Sequence, residues 1–321
     1  MNLESLQSAL NYFSDKTDKV VVQPKFMGSY CNIYLFEDIE NCYAISRNGY
    51  KINRDLTSIY QELLDKFHDD FTNGLVCRIF AGELLPWSIL GRDLIDRHFY
   101  SHAHLLQNEF DFCQQYNYQQ ALDSLVLSEK EKKYAYLLMM DDQPNISRFM
   151  DQVNLYGKDG DPYYEPFDIL KDIYADKEEL RILESNNEKW CQINNHPHIF
   201  SSPSSYNEIN DFYESLVFDK GYEGIVIKPE FYSTEFAPAI KVRNPEYLRI
   251  VYGHDYTDKD KYVKLFNRKR INRKLRQSII DFNNGLNMLS VPYNEINKEN
   301  KFYVDSLVRS IGFKEETDPR L

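Results

Sequence analysis

Residues Val20 to Phe36 read as two short β-rich runs around a Pro-Lys-x-x-Gly turn, Pro24-Lys25-Phe26-Met27-Gly28. Proline offers no N–H to a central strand and glycine permits a sharp change of direction, so this stretch folds as strand, turn and strand. Lys25 is thereby presented at a strand edge. Tyr43-Ala44-Ile45, Leu75 to Phe80, Ile225-Val226-Ile227 and Ala239 to Val242 are further strand candidates. Asp55 to His68 places Ile59, Leu63, Leu64 and Phe67 at the spacing of an amphipathic helix, and Asp168 to Asn187 is also expected to be helical. From about Tyr100 to Met150, apolar residues such as Leu105, Phe112, Leu122, Leu125, Tyr134 and Leu137 recur in helical fashion among Gln, Glu and Lys. This predicts a helical insertion, with Tyr156 to Tyr164 as the loop that returns the chain to the core. From about Tyr252 onward the sequence reads as largely helical.

At 321 residues the chain is long enough for one large domain and a smaller appendage. An apolar content of 42%, with 25 Tyr and 20 Phe, excludes a disordered chain. Met1 to Phe13 has neither a basic n-region nor a continuous apolar stretch, and no apolar run is long enough to span a bilayer. A soluble, cytoplasmic protein without a membrane partner is expected. The five cysteines, Cys31, Cys42, Cys77, Cys113 and Cys191, form no CxxC pair and are odd in number, which fits reduced structural thiols rather than a disulfide framework or a zinc site.

The net charge of -12 argues against a nucleic-acid partner only if the charge is evenly spread. It is not: Lys259, Lys261, Lys264, Arg268, Lys269, Arg270, Arg273, Lys274 and Arg276 crowd one segment in which Asp260 is the only acid. Such a segment forms either a phosphate-facing stripe or a solvated helix face.

Five blocks occur in a fixed order: Lys25-Phe26-Met27-Gly28-Ser29, Ser46-Arg47-Asn48-Gly49, Glu83-Leu84-Leu85-Pro86-Trp87, Glu223-Gly224-Ile225-Val226-Ile227-Lys228-Pro229 and Lys241-Val242-Arg243. Together they resemble the covalent nucleotidyltransferases, the superfamily of RNA ligases, DNA ligases and mRNA capping enzymes. That chemistry needs a deprotonated lysine to attack an α-phosphate in line while pyrophosphate leaves, and an ordinary lysine, with a pKa of about 10.4, is protonated at neutral pH. Lys228, Lys241, Arg243 and a bound Mg²⁺ are the expected sources of the positive charge that favours the free amine. On a strand Lys241 and Arg243 share a face, as a phosphate clamp or as the wet side of a half-buried strand. Glu83 and Glu223 stand beside glycines at strand ends, where hard oxygen ligands suit Mg²⁺ or a ribose hydroxyl.

The match narrows with Pro166-Phe167 and with the run from Lys241 through Tyr247-Leu248-Arg249-Ile250-Val251-Tyr252-Gly253. With these the chain, from about Val20 to Tyr256, resembles the RNA ligase domain of bacterial polynucleotide kinase-phosphatases. The resemblance implies an α+β fold: a nucleotidyltransferase core of antiparallel sheets with flanking helices over residues 1–250, a helical insert at about 101–155, and a C-terminal helical module over 251–321. It implies an ATP-dependent RNA ligase using Mg²⁺ or Mn²⁺, with Lys25 adenylylated, Lys228 and Lys241 on the α-phosphate and Phe167 stacked on adenine. Glu83 and Glu223 would contact ribose or metal, and Gln23, Phe26, Arg47 and Arg243 would complete the nucleotide site. Arg268, Lys269, Arg270 and Arg273 are the RNA-binding candidates. The RNA would carry 5′-phosphate and 3′-hydroxyl ends, prepared by a separate kinase, phosphatase or methyltransferase protein. Two residues depart from the branch: Tyr30 stands where a basic residue is usual, and Gln23 where an acid is. A glutamine amide can face either adenine or guanine, which leaves a capping-type guanylyltransferase as an alternative beside a DNA ligase, and the Tyr30 departure favours the third alternative, an inactive nucleic-acid-binding scaffold.

Overall fold

The computed structural model describes residues 5–194, 196–256, 268–295, 297–302 and 306, with side chains except at 119, 136–142 and 268–271. Two antiparallel sheets form its centre. The first has the strand order β7 (Ile199–Ser201), β1 (Val20–Lys25), β8 (Gly224–Pro229) and β9 (Ile240–Arg243). The second has the order β3 (Tyr43–Ser46), β2 (Ser29–Phe36), β4 (Leu75–Leu85), β5 (Tyr163–Tyr174) and β6 (Glu178–Glu179).

Each sheet buries one face under helices. Val20 and Val22 of β1, Ile225 and Ile227 of β8, and Ile240 and Val242 of β9 pack with α1 (Leu6–Phe13) and Ile209 of α9 (Tyr206–Glu214). Cys31, Ile33 and Leu35 of β2 and Phe80 of β4 pack with Ile59 and Leu63 of α2 (Thr57–Lys66) and Phe71 of α3 (His68–Thr72). Because side chains alternate along a strand, the residues between these apolar ones point the opposite way: on the first sheet into the cleft between the two sheets, across which Lys228 reaches the Phe167 carbonyl of β5, and on the second partly into another buried cluster, where Tyr34, Cys77, Ile79 and Ile173 pack with Tyr293. Pro24 lies within β1, an inner strand, which its missing N–H should disfavour. β7 pairs only with Val20 to Val22, however, so Pro24 sits where one side of β1 is already unpaired.

The expected helix over Asp168 to Asn187 is not formed. Strand β5 runs on to Tyr174, β6 follows, and apart from one 3-10 turn at Arg181–Leu183 the first helix is α8 (Asn186–Ile193). The reason is that charged residues of β5 are buried. Asp172 is held by Arg78 through two contacts of 2.7 Å and by Arg181 at 2.5 Å, while Lys171 pairs with Glu178. Paired charges inside a strand erase the alternation of polar and apolar residues that marks one, leaving Ile169 and Ile173 at an apparent helical spacing.

The insert is helical as expected. After α4 (Ser88–Leu94) come α5 (Ser101–Gln115), α6 (Tyr118–Ser124) and α7 (Glu129–Tyr156), the last opened by a Ser128–Glu131 capping box. The Tyr247 to Gly253 run explains itself here. It forms α10 (Pro245–Tyr252), whose Tyr247, Leu248 and Ile250 pack with Phe99, Phe149 and Val153 of the insert. Arg249 is fully buried; it bonds Glu246 at 2.7 Å, Asn145 of α7 at 2.9 Å and the His254 carbonyl at 2.5 Å. A further helix, α11 (Arg268–Ser290), reaches from the first sheet's core, where Leu275 packs, to the second sheet, where Lys171 donates to the Leu289 and Val291 carbonyls. Among the described residues no helix is long and apolar enough to cross a membrane, and all five cysteines are free thiols.

Replacing Arg249 by Met leaves Glu246, Asn145 and a carbonyl without their shared donor. The expected cost is about 2–4 kcal/mol in urea unfolding, with faster amide exchange in α7 and α10 than in the two sheets.

Candidate active site

Register assembles the cleft face of the first sheet. Lys25 lies opposite Gly224, Gln23 opposite Val226, and Val21 opposite Lys228; Val226 in turn faces Lys241 on β9, and Gly224 faces Arg243. Cross-strand partners share a face, so Gln23, Lys25, Lys228, Lys241 and Arg243 all look into the cleft. Gly224 makes the close approach possible: its φ is +150°, and a Cβ there would stand 2.1 Å from the Val242 carbonyl oxygen.

The cations do not face one another unopposed. Glu223, 1% exposed, accepts from Lys25 Nζ at 2.5 Å and from Arg243 Nε at 3.1 Å, one carboxylate oxygen each. Lys241 reaches solvent but stands deep among protein groups; desolvation, then the like charges of Lys25, Arg243 and Arg47, hold its ammonium well below the usual lysine value. Arg47 itself is exposed, just beyond β3, and its charge bears on Glu83 and Lys241.

Glu83 comes from the second sheet, opposite Tyr30 on β2. Burial raises its carboxyl above the ordinary value, against the pull of Lys25 and Lys241, and its Oε2 is buried without a hydrogen-bond partner. A lone buried acceptor beside a row of cations is suited to a divalent ion or a ligand hydroxyl. Glu223, with both oxygens engaged, is not suited in this arrangement, so of the two carboxylates proposed for metal Glu83 carries the fit. The described residues hold no cluster of three or more His, Cys, Asp or Glu side chains that could bind a metal unaided, which leaves room for substrate oxygens to complete the shell.

Phe167 sits on β5 rather than beside a helix. Its ring is half-buried, 6.0 Å from the Tyr30 ring, and Lys228 Nζ lies 5.1 Å from its centroid while donating to the Phe167 carbonyl at 2.9 Å. The Phe26 ring is buried in a cluster with Leu85 and Trp190, against which Tyr222 and Phe167 itself pack. Arg268, Lys269 and Arg270 lie outside the residues whose side chains are described; Arg273 is exposed on α11.

The sequence reading missed a third carboxylate. Asp168 accepts from Lys189 Nζ and from the Tyr232 hydroxyl, both at 2.6 Å, and lies 3.7 Å from Lys228 Nζ. Burial alone would raise its carboxyl; Lys189 and Lys228 outweigh burial and hold it below the usual value. Burial pushes Lys228 the other way, down to about 8, although Asp168 supports its charge. The only signal in the sequence was an acid following Phe167 directly in a run of high β propensity.

Two sheets meeting over a lysine-rich cleft define a nucleotidyltransferase of the RNA ligase class. Residues 1–300 match the family described as PNKP adenylyltransferase domain, ligase domain, and the chain belongs to it. It is similar to a solved structure described as "Structure of Pnkp1/Rnl/Hen1 complex", with a TM-score of 0.81 and 31% identity over 99% of this chain and 90% of that one. A second, "Structure of the Pnkp1/Rnl/Hen1 RNA repair complex", gives 0.76 and 31% over 97% and 89%. No curated protein matches the sequence.

Glu223→Gln removes the charge that Lys25 and Arg243 share and leaves two neighbouring cations unbalanced. Urea unfolding is expected to show a loss of about 3–5 kcal/mol, the usual result of breaking a buried pair from one side.

Proposed function

We propose that this RNA ligase works through a lysyl-AMP intermediate on Lys25, with ATP as the nucleotide. The observation that carries the reading is the single cleft face on which register places Lys25, Lys228, Lys241 and Arg243. Lys25 Nζ bonds to the α-phosphorus as the bond to the bridging oxygen breaks and pyrophosphate leaves. Glu223 Oε2, in contact with Nζ, is placed to accept the proton that the amine must shed. Lys228 and Lys241 hold the phosphate oxygens, Phe167 offers its ring to the base, and Gln23 lines the same face. A Mg²⁺ or Mn²⁺ ion, with Glu83 as its protein ligand, supplies positive charge to the phosphates when bound.

AMP then passes from Lys25 to the 5′-phosphate of an RNA, and a 3′-hydroxyl displaces it to close the strand. The similar solved structures are Pnkp1/Rnl/Hen1 complexes, which supports a partnership with separate proteins that prepare those ends. Arg273, exposed on α11, belongs to the basic run read as an RNA-binding stripe.

Incubation with labelled ATP and Mg²⁺ should place acid-sensitive label on Lys25, and Lys25→Ala should abolish it without unfolding the protein. Label mapped to another lysine, or stronger labelling from GTP, overturns the assignment. Labelling should also depend on pH through Lys228. Burial lowers this ammonium to about 8, so it is charged below that pH and neutral above it. Lys241, lowered to about 7, loses its charge first, so phosphate binding weakens as pH rises through about 7 to 8, read as a rising half-saturating ATP concentration.

A further inference from the structure

Tyr232 follows β8 and belongs to neither sheet. Its hydroxyl donates to Asp168 Oδ2 at 2.6 Å, and Lys189 Nζ lies 5.1 Å from its ring centroid. Its ring also meets Phe282 of α11, the centroids 5.2 Å apart at 48°. Two residues further along, the same loop is tied to the same helix again, since Asn283 donates to the Thr234 carbonyl at 3.2 Å. Asp168 is the carboxylate beside Lys228, and Lys228 is bound to the Phe167 carbonyl. An unbroken series of packed and hydrogen-bonded groups thus runs from α11 through Phe282, Tyr232, Asp168 and Lys228 to Phe167.

The far end of α11 is fixed independently. Lys171, three residues beyond Asp168 on β5, holds the Leu289 and Val291 carbonyls, and the Tyr293 hydroxyl meets that of Tyr43 at 2.7 Å. The helix therefore cannot shift along its axis without disturbing either that clamp or the Phe282 contact.

We propose that Tyr232 is a positioning residue through which α11 sets the nucleotide-holding geometry of Asp168, Lys228 and Phe167. The inference rests on the reading that Lys228 holds the nucleotide's phosphate. Tyr232 touches no substrate; it fixes the carboxylate that orients Lys228. A role of this kind concerns nucleotide affinity more than the rate of attack, because Lys25 and Glu223 lie at the other end of β8 and are left in place.

The test is single-turnover adenylylation of Lys25 in the full chain, followed against ATP concentration. Tyr232→Phe keeps the ring and deletes one hydrogen bond to a charged group; half-saturating ATP should rise about ten-fold with the maximal rate within about two-fold. Phe282→Ala should raise half-saturation by a smaller factor, and Phe282→Tyr, which keeps a ring at that position, should restore it. The double variant Tyr232→Phe with Phe282→Ala should be no worse than Tyr232→Phe alone, since both changes act through one hydroxyl. Multiplying effects in the double variant, or a fall in maximal rate and melting temperature at unchanged half-saturation, overturns the inference. Wild-type protein that takes no label at Lys25 overturns instead the reading on which it rests.

Discussion

Like charges crowded on one face of a sheet repel, and the centre of this protein depends on how that repulsion is contained. Lys25, Lys228, Lys241 and Arg243 are brought together by strand register alone. Glu223 neutralises one end of the group and Asp168 the other. The two carboxylates do different work. Glu223 takes one cation on each oxygen, which pins Lys25 beside Arg243. Asp168 lies farther from Lys228 and is itself tied to Lys189 and Tyr232, so it orients without locking. The result is a row of positive charge that tolerates its own assembly yet keeps capacity for phosphate.

The legible parts of the sequence were those whose physics is local. The Pro24 to Gly28 turn, the strands carrying Lys228 and Lys241, the helical insert and the Asp55 to His68 helix all announce themselves through period, glycine and proline, and all are present. The strand through Asp168, Lys171 and Asp172 was not legible. Its buried charges are matched by Lys189, Glu178, Arg78 and Arg181, all four of which lie on other elements or beyond the end of that strand. Nothing within the strand's own sequence reveals such partners. The same limit hid Tyr232, whose importance lies wholly in what it touches.

The insert and the C-terminal segment show the core being held from outside. Helix α10 begins directly after β9, so the motif that supplies Lys241 and Arg243 continues without a break into the buried clamp made by Arg249. Docking of the insert and placement of the strand that carries Lys241 and Arg243 are therefore consecutive in the chain. Helix α11 adds a second brace by touching both sheets.

The unpartnered oxygen of Glu83 makes the free protein the less comfortable state. A buried acceptor without a donor costs about 1–3 kcal/mol, and two of the neighbouring cations, Lys25 and Arg243, are already engaged by Glu223. A cation or a hydroxyl brought by a nucleotide would meet that demand. Affinity here is partly the release of a tension built into the fold, and it discriminates by chemistry: a ligand that fills the cleft but brings neither leaves the tension in place.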